Sequence, residues 1–202
     1  MALSRRALLS FVSAFPFIGT ATTAASQRTP SATEGPFYPT ESMRFTDVDN
    51  NLVRISDAVR EAGGEVVVLK GRVLDGAGTP VAGARVEIWQ CDVNGIYLHT
   101  RDRSRGGYDV AFQGFGRVVT GADGAYAFRT IKPTVYPGRT PHIHVKAFAG
   151  GRELTTQFYL PNHSLNDRDW LYRRLSAAER DMVTMRFAEG PDGPEATVDI
   201  RL

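Results

Sequence analysis

From Glu65 onward the chain is built of short apolar runs, each closed by Gly, Pro or Asp-Gly, and that punctuation restricts it to a β fold. Glu65-Val-Val-Val-Leu-Lys-Gly-Arg-Val-Leu74 is rich in β-branched residues, and Asp75-Gly76-Ala77-Gly78 with Thr79-Pro80 makes turns after it. Ala84-Arg-Val-Glu-Ile-Trp89 alternates apolar and polar, as a half-buried strand does. Arg117-Val-Val-Thr120 and Ala125-Tyr-Ala-Phe-Arg-Thr130 flank Ala122-Asp123-Gly124, which predicts a hairpin. His142–Phe148 and Glu153–Leu160 predict a second strand pair, joined through Gly150-Gly151, and Met182–Phe187 and Ala196–Leu202 read as closing strands. The best helical candidate is Leu171 to about Arg180, where Ser176-Ala-Ala-Glu179 has the form of a capping box. A short helical piece around Ile55–Ala62 is also compatible with the pattern. Short strands of this kind hide their apolar faces by stacking sheet on sheet, so the expected architecture is a β-sandwich.

The 202 residues do not all belong to that domain. Ser4-Arg5-Arg6-Ala7-Leu8-Leu9 is a twin-arginine pattern, followed by an apolar run from Ala7 to Ile18 and small residues from Thr20 to Ser26. Residues 1–26 therefore read as a twin-arginine export signal, and periplasmic or extracellular localisation follows. The apolar run is too short for a stable membrane span and is broken by Pro16. Residues 27–64 are an extended lead-in punctuated by Thr29-Pro30 and Gly35-Pro36-Phe37-Tyr38-Pro39, and residues 65–202 form the folded domain. The formal net charge of +2 implies no basic face for nucleic acid. One cysteine, Cys91, excludes an internal disulfide framework; it reads as a small buried apolar residue rather than a reactive thiol.

Four side chains stand out against this framework. His142 and His144 are two of only four histidines, and their spacing on a strand points both imidazoles to one face. Tyr97 and Tyr136, brought near by folding, would add two phenols. Two imidazole nitrogens and two phenolate oxygens make an unusual ligand set. Phenolate is a hard anionic donor, so the obvious biological cation is Fe(III), which tyrosine also ligates in haem catalases. Taken alone, His142-Ile-His144 is equally a pair of surface imidazoles or a zinc or copper site. Tyr97 and Tyr136, each alone, read as ordinary packing aromatics.

The stretches Gly71-Arg-Val-Leu-Asp75, Pro80-Val-Ala-Gly-Ala-Arg-Val-Glu-Ile-Trp-Gln90 and Asn94-Gly-Ile-Tyr97 resemble the core of the intradiol ring-cleavage dioxygenases. Phe128-Arg-Thr-Ile-Lys-Pro133, Tyr136-Pro137, Arg139, His142-Ile-His144 and Thr156-Gln157-Phe158-Tyr159 continue the likeness in order. Thr29-Pro-Ser-Ala-Thr-Glu-Gly-Pro-Phe-Tyr38 is similar to the lead-in of protocatechuate 3,4-dioxygenase chains. The resemblance implies an all-β, prealbumin-like antiparallel sandwich with an extended N-terminal arm and little helix. It implies a non-haem Fe(III) held by Tyr97, Tyr136, His142 and His144, and cleavage of a catechol between its two hydroxyl-bearing carbons with O2 to a cis,cis-muconate. In that family the tyrosine at the position of Tyr136 leaves the metal and takes a substrate proton. Arg139 would then stabilise negative charge developing on the substrate, and Gln157 would lie near the ring.

The chain departs from the family's pattern in one place. Between Tyr136 and His142 only Pro137-Gly138-Arg139-Thr140-Pro141 remains, where protocatechuate dioxygenases carry a longer loop. The substrate is therefore not fixed among protocatechuate, catechol, hydroxyquinol and larger lignin-derived or polyphenolic catechols, and the short loop and export favour the last group. The helical N-terminal domain of catechol 1,2-dioxygenases has no counterpart in the sequence. His99 and His163 match no family position and read as surface or second-shell residues. Tyr38 reads as packing or cavity lining, Tyr108 and Tyr126 as core or surface aromatics, and Trp89 as core. A homo-oligomer is compatible with the composition but not required by it. Two competing functions share the β framework: a non-catalytic prealbumin-like binding module, and a copper- or zinc-binding protein. The ligand set separates them from an oxygenase, because a binding module has no use for Tyr97, Tyr136 and the histidine pair together.

Overall fold

The computed structural model describes residues 27–45, 47–55, 61–191 and 193–202. The export signal expected at residues 1–26 lies outside the described residues, as does most of the helical piece expected around Ile55–Ala62. Among the described residues nine strands form two sheets: β1 (Val66–Leu74), β2 (Arg85–Trp89), β3 (Phe115–Val119), β4 (Ala125–Ile131), β5 (His142–Ala149), β6 (Arg152–Tyr159), β7 (Arg186–Gly190), β8 (Gly193–Thr197) and β9 (Ile200–Arg201). One sheet runs β4-β1-β8-β7 with β9 also on β1, and the other runs β3-β2-β5-β6. Most pairs are antiparallel, but β8 and β9 both run parallel to β1. Gly71 lies at the step where the chain passes from β8 to β9. A Cβ there would sit 1.7 Å from the Val198 carbonyl oxygen, so only glycine lets the crossing backbone come so close.

The inner faces bury Val67, Leu69, Val73 and Phe128 of the first sheet against Val86, Ile88, Ile143, Val145 and Phe158 of the second. Strand alternation then sends Trp89, His142, His144 and Gln157 to the opposite face of the second sheet. Register puts them side by side: Trp89 pairs with His144, His144 with Gln157, and His142 with Tyr159. This row of side chains thus crosses three strands on the face turned away from the main core, where Trp89 joins a second, smaller cluster with Cys91, Tyr97 and Phe115.

The lead-in covers that face. Ala32 donates its N–H to the Thr155 carbonyl, Gln157 Nε2 donates to the Thr33 carbonyl, and Glu34 pairs with Lys146. Tyr38 donates its hydroxyl to Glu87 and packs edge-on against Trp89, so it serves packing.

Three local expectations are corrected. Asp123-Gly124 does turn the chain, with Gly124 at φ 69°, but β3 and β4 are not a hairpin. They belong to different sheets, β3 on β2 and β4 on β1, so the turn is a corner of the sandwich. The alternation of both flanking runs arises because each buries one face in the shared core, which does not require them to pair. The helix α1 spans Ala177–Val183, later than predicted. Ser176 and Glu179 form the capping box and set its start, while Tyr172–Arg174 is only a 3-10 turn. Accordingly Met182 and Val183 are helical, and the closing hairpin is β7–β8 around Gly190 and Gly193.

Candidate metal centre and active site

His142 and His144 point to one face of β5 with their Nε2 atoms 3.1 Å apart. His142 Nδ1–H donates to the Thr140 carbonyl at 2.7 Å, which leaves the Nε2 lone pair free to bind. His144 is held flat by Trp89, whose ring stacks on it at 4.7 Å and 9°, and on another side by Gly35 of the lead-in. Gly35 has φ 73°, and a Cβ there would meet His144 Cε1 at 3.3 Å. Burial, then the Arg139 charge, pushes the His142 imidazole down to about 4; burial, then His142, pushes His144 well down too. Both rings are therefore neutral bases at physiological pH.

The two phenols complete the cluster. Tyr97 lies 5.3 Å from the Tyr136 ring and 6.1 Å from the His144 ring, centroid to centroid. Tyr97 is buried, and its hydroxyl has no hydrogen-bond partner among the described residues. An unpaired buried hydroxyl is costly unless something outside the protein satisfies it. Burial raises both phenols above their usual range, far more for Tyr97 than for half-buried Tyr136. Phe37 of the lead-in stacks on Tyr97 at 4.7 Å and meets Tyr136 edge-on at 5.6 Å. Two converging neutral imidazoles, one orphaned phenol and a second phenol beside it suit a cation that phenolate can neutralise. No group of three or more His, Cys, Asp or Glu among the described residues could hold a metal, so a site here must draw on the tyrosines.

Tyr136 and Arg139 bracket a tight turn. Arg139 N–H donates to the Tyr136 carbonyl, and Pro137-Gly138, with Gly138 at φ 82°, fits the type II positions. The shortened loop is this turn. Arg139 Nε donates to Asp169 Oδ2 at 2.7 Å, and Nη2 donates to Gln157 Oε1 at 2.7 Å and to Asp169 Oδ1 at 3.4 Å. Tyr159 also donates to Gln157 Oε1. Gln157 thus sits beside Arg139 and, across β5 and β6, beside His144; its amide is taken up by Arg139, Tyr159 and Thr33, and it does not line the cavity next to Tyr136. That cavity, of about 270 Å³, is lined by Val135, Tyr136, Arg139, Leu165, Arg168 and Asp169 among others.

Sequence inspection missed three participants. Asp169 had no signal of its own, because its partner lies thirty residues away in the chain. Trp89 is core, as expected, buried in a second cluster with Cys91, Tyr97 and Phe115; what the sequence did not show is that it also stacks on His144, its register partner on β5. Phe37 was quoted only as part of the lead-in. His99 is buried rather than superficial and packs edge-on against Phe37. His163 Nδ1 accepts from Leu165 N–H and braces the turn before Asn166. Tyr108 and Tyr126 are core residues that donate to the Phe112 and Val198 carbonyls. Cys91 is a buried packing residue whose thiol burial pushes up to about 11.

In the metal-free protein the two imidazoles make stability depend on pH. Unfolded histidine titrates near 6.5 and folded His142 near 4, so the unfolded state binds more protons and stability falls as pH drops from about 6.5 to about 4. His142 alone accounts for about 3 kcal/mol of that loss. Denaturant titrations of the metal-free protein across this range should show it, and His142→Gln should flatten the slope.

The sandwich thus gathers two imidazoles from β5 and two phenols from the loops after β2 and β4 under the extended arm. A dioxygenase family model matches residues 33–202, and the chain belongs to the intradiol ring-cleavage dioxygenases, a family of oxidoreductases. It is 37% identical over 162 residues to the protocatechuate 3,4-dioxygenase beta chain of Burkholderia cepacia, covering 76% of this chain and 68% of that one. It is 30% identical over 178 residues to hydroxyquinol 1,2-dioxygenase of Nocardioides simplex, covering 79% of this chain but only 55% of the relative. The dioxygenase domain of a dioxygenase–carbohydrate-binding protein fusion from Streptomyces sp. SirexAA-E superimposes with a TM-score of 0.66 at 35% identity, over 87% of this chain and 98% of that domain.

Proposed function

We propose that this chain is an exported non-haem Fe(III) enzyme that cleaves a catecholic ring between its hydroxyl-bearing carbons with O2, giving a cis,cis-muconate-type product. The observation that carries the reading is the buried Tyr97 hydroxyl without a partner beside two converging neutral imidazoles. Ferric iron held by Tyr97, Tyr136, His142 and His144 would supply the electron transfer that opens a bound catecholate to O2. The remaining work falls to the protein. Tyr97, His142 and His144 are buried and braced by Phe37, Thr140 and Trp89, which suits permanent ligands. Tyr136 is half-buried on a tight turn facing the cavity, which suits a ligand that swings away and takes a substrate hydroxyl proton on its phenolate oxygen. Arg139 lines the same cavity, and its Nη1 has no partner among the described residues, so it is free to donate to a substrate oxygen. Trp89, Phe37 and Gly35 keep water from the histidine side.

Export rests on the twin-arginine pattern at Ser4-Arg5-Arg6 and the apolar run behind it. Among the described residues no helix is long and apolar enough to cross a membrane. The reading predicts that iron-loaded protein absorbs visible light through phenolate-to-iron charge transfer and consumes one O2 per catechol, with a ring-opened dicarboxylate as product. Oxygen-electrode measurements with product identification by mass spectrometry test it. A colourless, fully iron-loaded protein, or one inert toward a panel of catechols, would overturn it.

A further inference from the structure

We infer that residues 30–38 of the lead-in are a strap through which the metal is loaded and released, and that Lys146 is the clasp that keeps it shut. The inference rests on the ferric reading of the site for what lies beneath the strap. Two rows of register partners cross β2, β5 and β6: Glu87, Lys146 and Thr155, and next to them Trp89, His144 and Gln157. The lead-in crosses the same three strands and engages every member of both rows. Ala32 and Thr33 reach Thr155 and Gln157 on β6. Glu34 and Gly35 reach Lys146 and His144 on β5. Tyr38 reaches Glu87 and Trp89 on β2. Strand alternation supplies the match, because His142, His144 and Lys146 all point to one face.

The strap covers buried groups without being buried itself. Gly35 lies on His144 and Phe37 on Tyr97, and both of these ligands are buried. Thr29 and Pro39, at the two ends of the strap, are buried, whereas none of residues 30–38 is. Thr29 donates its N–H to the Arg201 carbonyl and accepts the Arg201 N–H on its hydroxyl, and Arg44 Nε donates to the Pro39 carbonyl. A segment pinned at both ends, with little buried between them, opens more readily than the sheet beneath it. Of the four ligands only Tyr136 lines the cavity, so a route to the other three that leaves Tyr136 in place runs under the strap. Lys146 holds the strap at two points: it pairs with Glu34 and stands 4.6 Å from the centre of the Tyr38 ring. Its side chain is only 12% exposed, so water screens the pair less than it does a surface ion pair. Lys146 also pairs with Glu153 of β6 at 3.1 Å. The Glu34 and Glu153 side chains are 40% and 53% exposed, so removing the lysine strands no buried charge.

The test mixes iron-loaded protein with excess EDTA and takes the release rate from the decay of the phenolate-to-iron absorption. Lys146→Met keeps the aliphatic stem and removes the charge, and it should speed release about tenfold, the effect of losing one charge-assisted contact. Glu34→Gln should do the same, and the double variant should be no faster than either single one. Lys146→Arg should restore slow release, and added salt should speed release from the wild type but not from Lys146→Met. Hydrogen exchange across residues 29–38, read by mass spectrometry on the metal-free protein, should quicken in Lys146→Met and Glu34→Gln. Iron should slow that exchange in the wild type, since closure and metal binding favour each other. A strap that exchanges faster while iron leaves at the wild-type rate would overturn the proposal, by putting the metal's exit on the Tyr136 side. Unchanged exchange in both variants would overturn it by showing that Lys146 is no clasp. A protein that takes up no iron would refute the ferric reading, and faster exchange in both variants would then uphold the clasp alone.

Discussion

Replacing Tyr136 with phenylalanine should lower ring-cleaving turnover by ~10²-fold or more, the usual contribution of a positioned general base, while the fold and most of the bound iron are kept. The asymmetry between the two phenols is the reason. Tyr97 is almost wholly buried, with Phe37 flat against it, and cannot leave without opening the lead-in. Tyr136 is half-buried, on a turn with open space beside its Gly138, and it lines the cavity. Loss of its oxygen removes a ligand and the proton acceptor together, but leaves His142, His144 and Tyr97 in place. Iron content should therefore fall less than in His142→Ala, and the visible absorption should shift and weaken. Tyr97→Phe should instead lose iron, because the one buried carboxylate that acts on His142, Asp169, is already clamped to Arg139 and cannot replace the phenolate. Metal analysis, absorption spectra and oxygen uptake on the same preparations separate these outcomes. A Tyr136→Phe enzyme that kept wild-type colour and turnover would show that Tyr136 is not a ligand.

The parts of this design visible in the sequence are those encoded by periodicity. His142 and His144 on one face, with Ile143 and Val145 on the other, follow from strand alternation alone, and the structure puts the first pair in the site and the second in the core. The Ser176–Glu179 capping box is equally local, and it fixed the start of α1 more reliably than the apolar pattern before it. What depended on partners distant in the chain was not visible. An Asp-Gly turn between two alternating runs reads the same whether the runs pair or part into separate sheets, and β3 and β4 part. Asp169 has an ordinary loop sequence around it, and its role exists only because Arg139 lies 2.7 Å away.

Asp169→Ala should be the most destabilising change at the site, at about 3–5 kcal/mol, the cost of breaking a buried ion pair on one side. The Asp169 side chain is fully buried and that of Arg139 is only 13% exposed, so water cannot take the lost partner's place. The carboxylate also accepts from the backbone N–H groups of Thr140, Leu171 and Tyr172, and their loss would free both the turn before His142 and the segment after Asp169. At about 2–4 °C per kcal/mol for a domain of this size, the melting temperature should fall by roughly 10 °C. Asp169→Asn separates stability from function. It keeps the size and one acceptor oxygen, so more of the fold should survive, but it leaves Arg139 without a counter-charge. The guanidinium would then be held by neutral acceptors only, and kcat should fall more than KM rises, because Arg139 is needed where negative charge develops on the substrate. The acid limb reports the same pair. Burial raises the Asp169 carboxyl, but the hydrogen bonds from Arg139, Tyr172 and Thr140 outweigh it, and the net position is below the usual carboxylate range. Its stabilisation is therefore complete above that range and lost as pH falls through the lowered value. Acid unfolding of the wild type should be steeper there than that of Asp169→Asn. Equal acid limbs together with unchanged kcat would mean that Arg139 does not need Asp169 to hold its place.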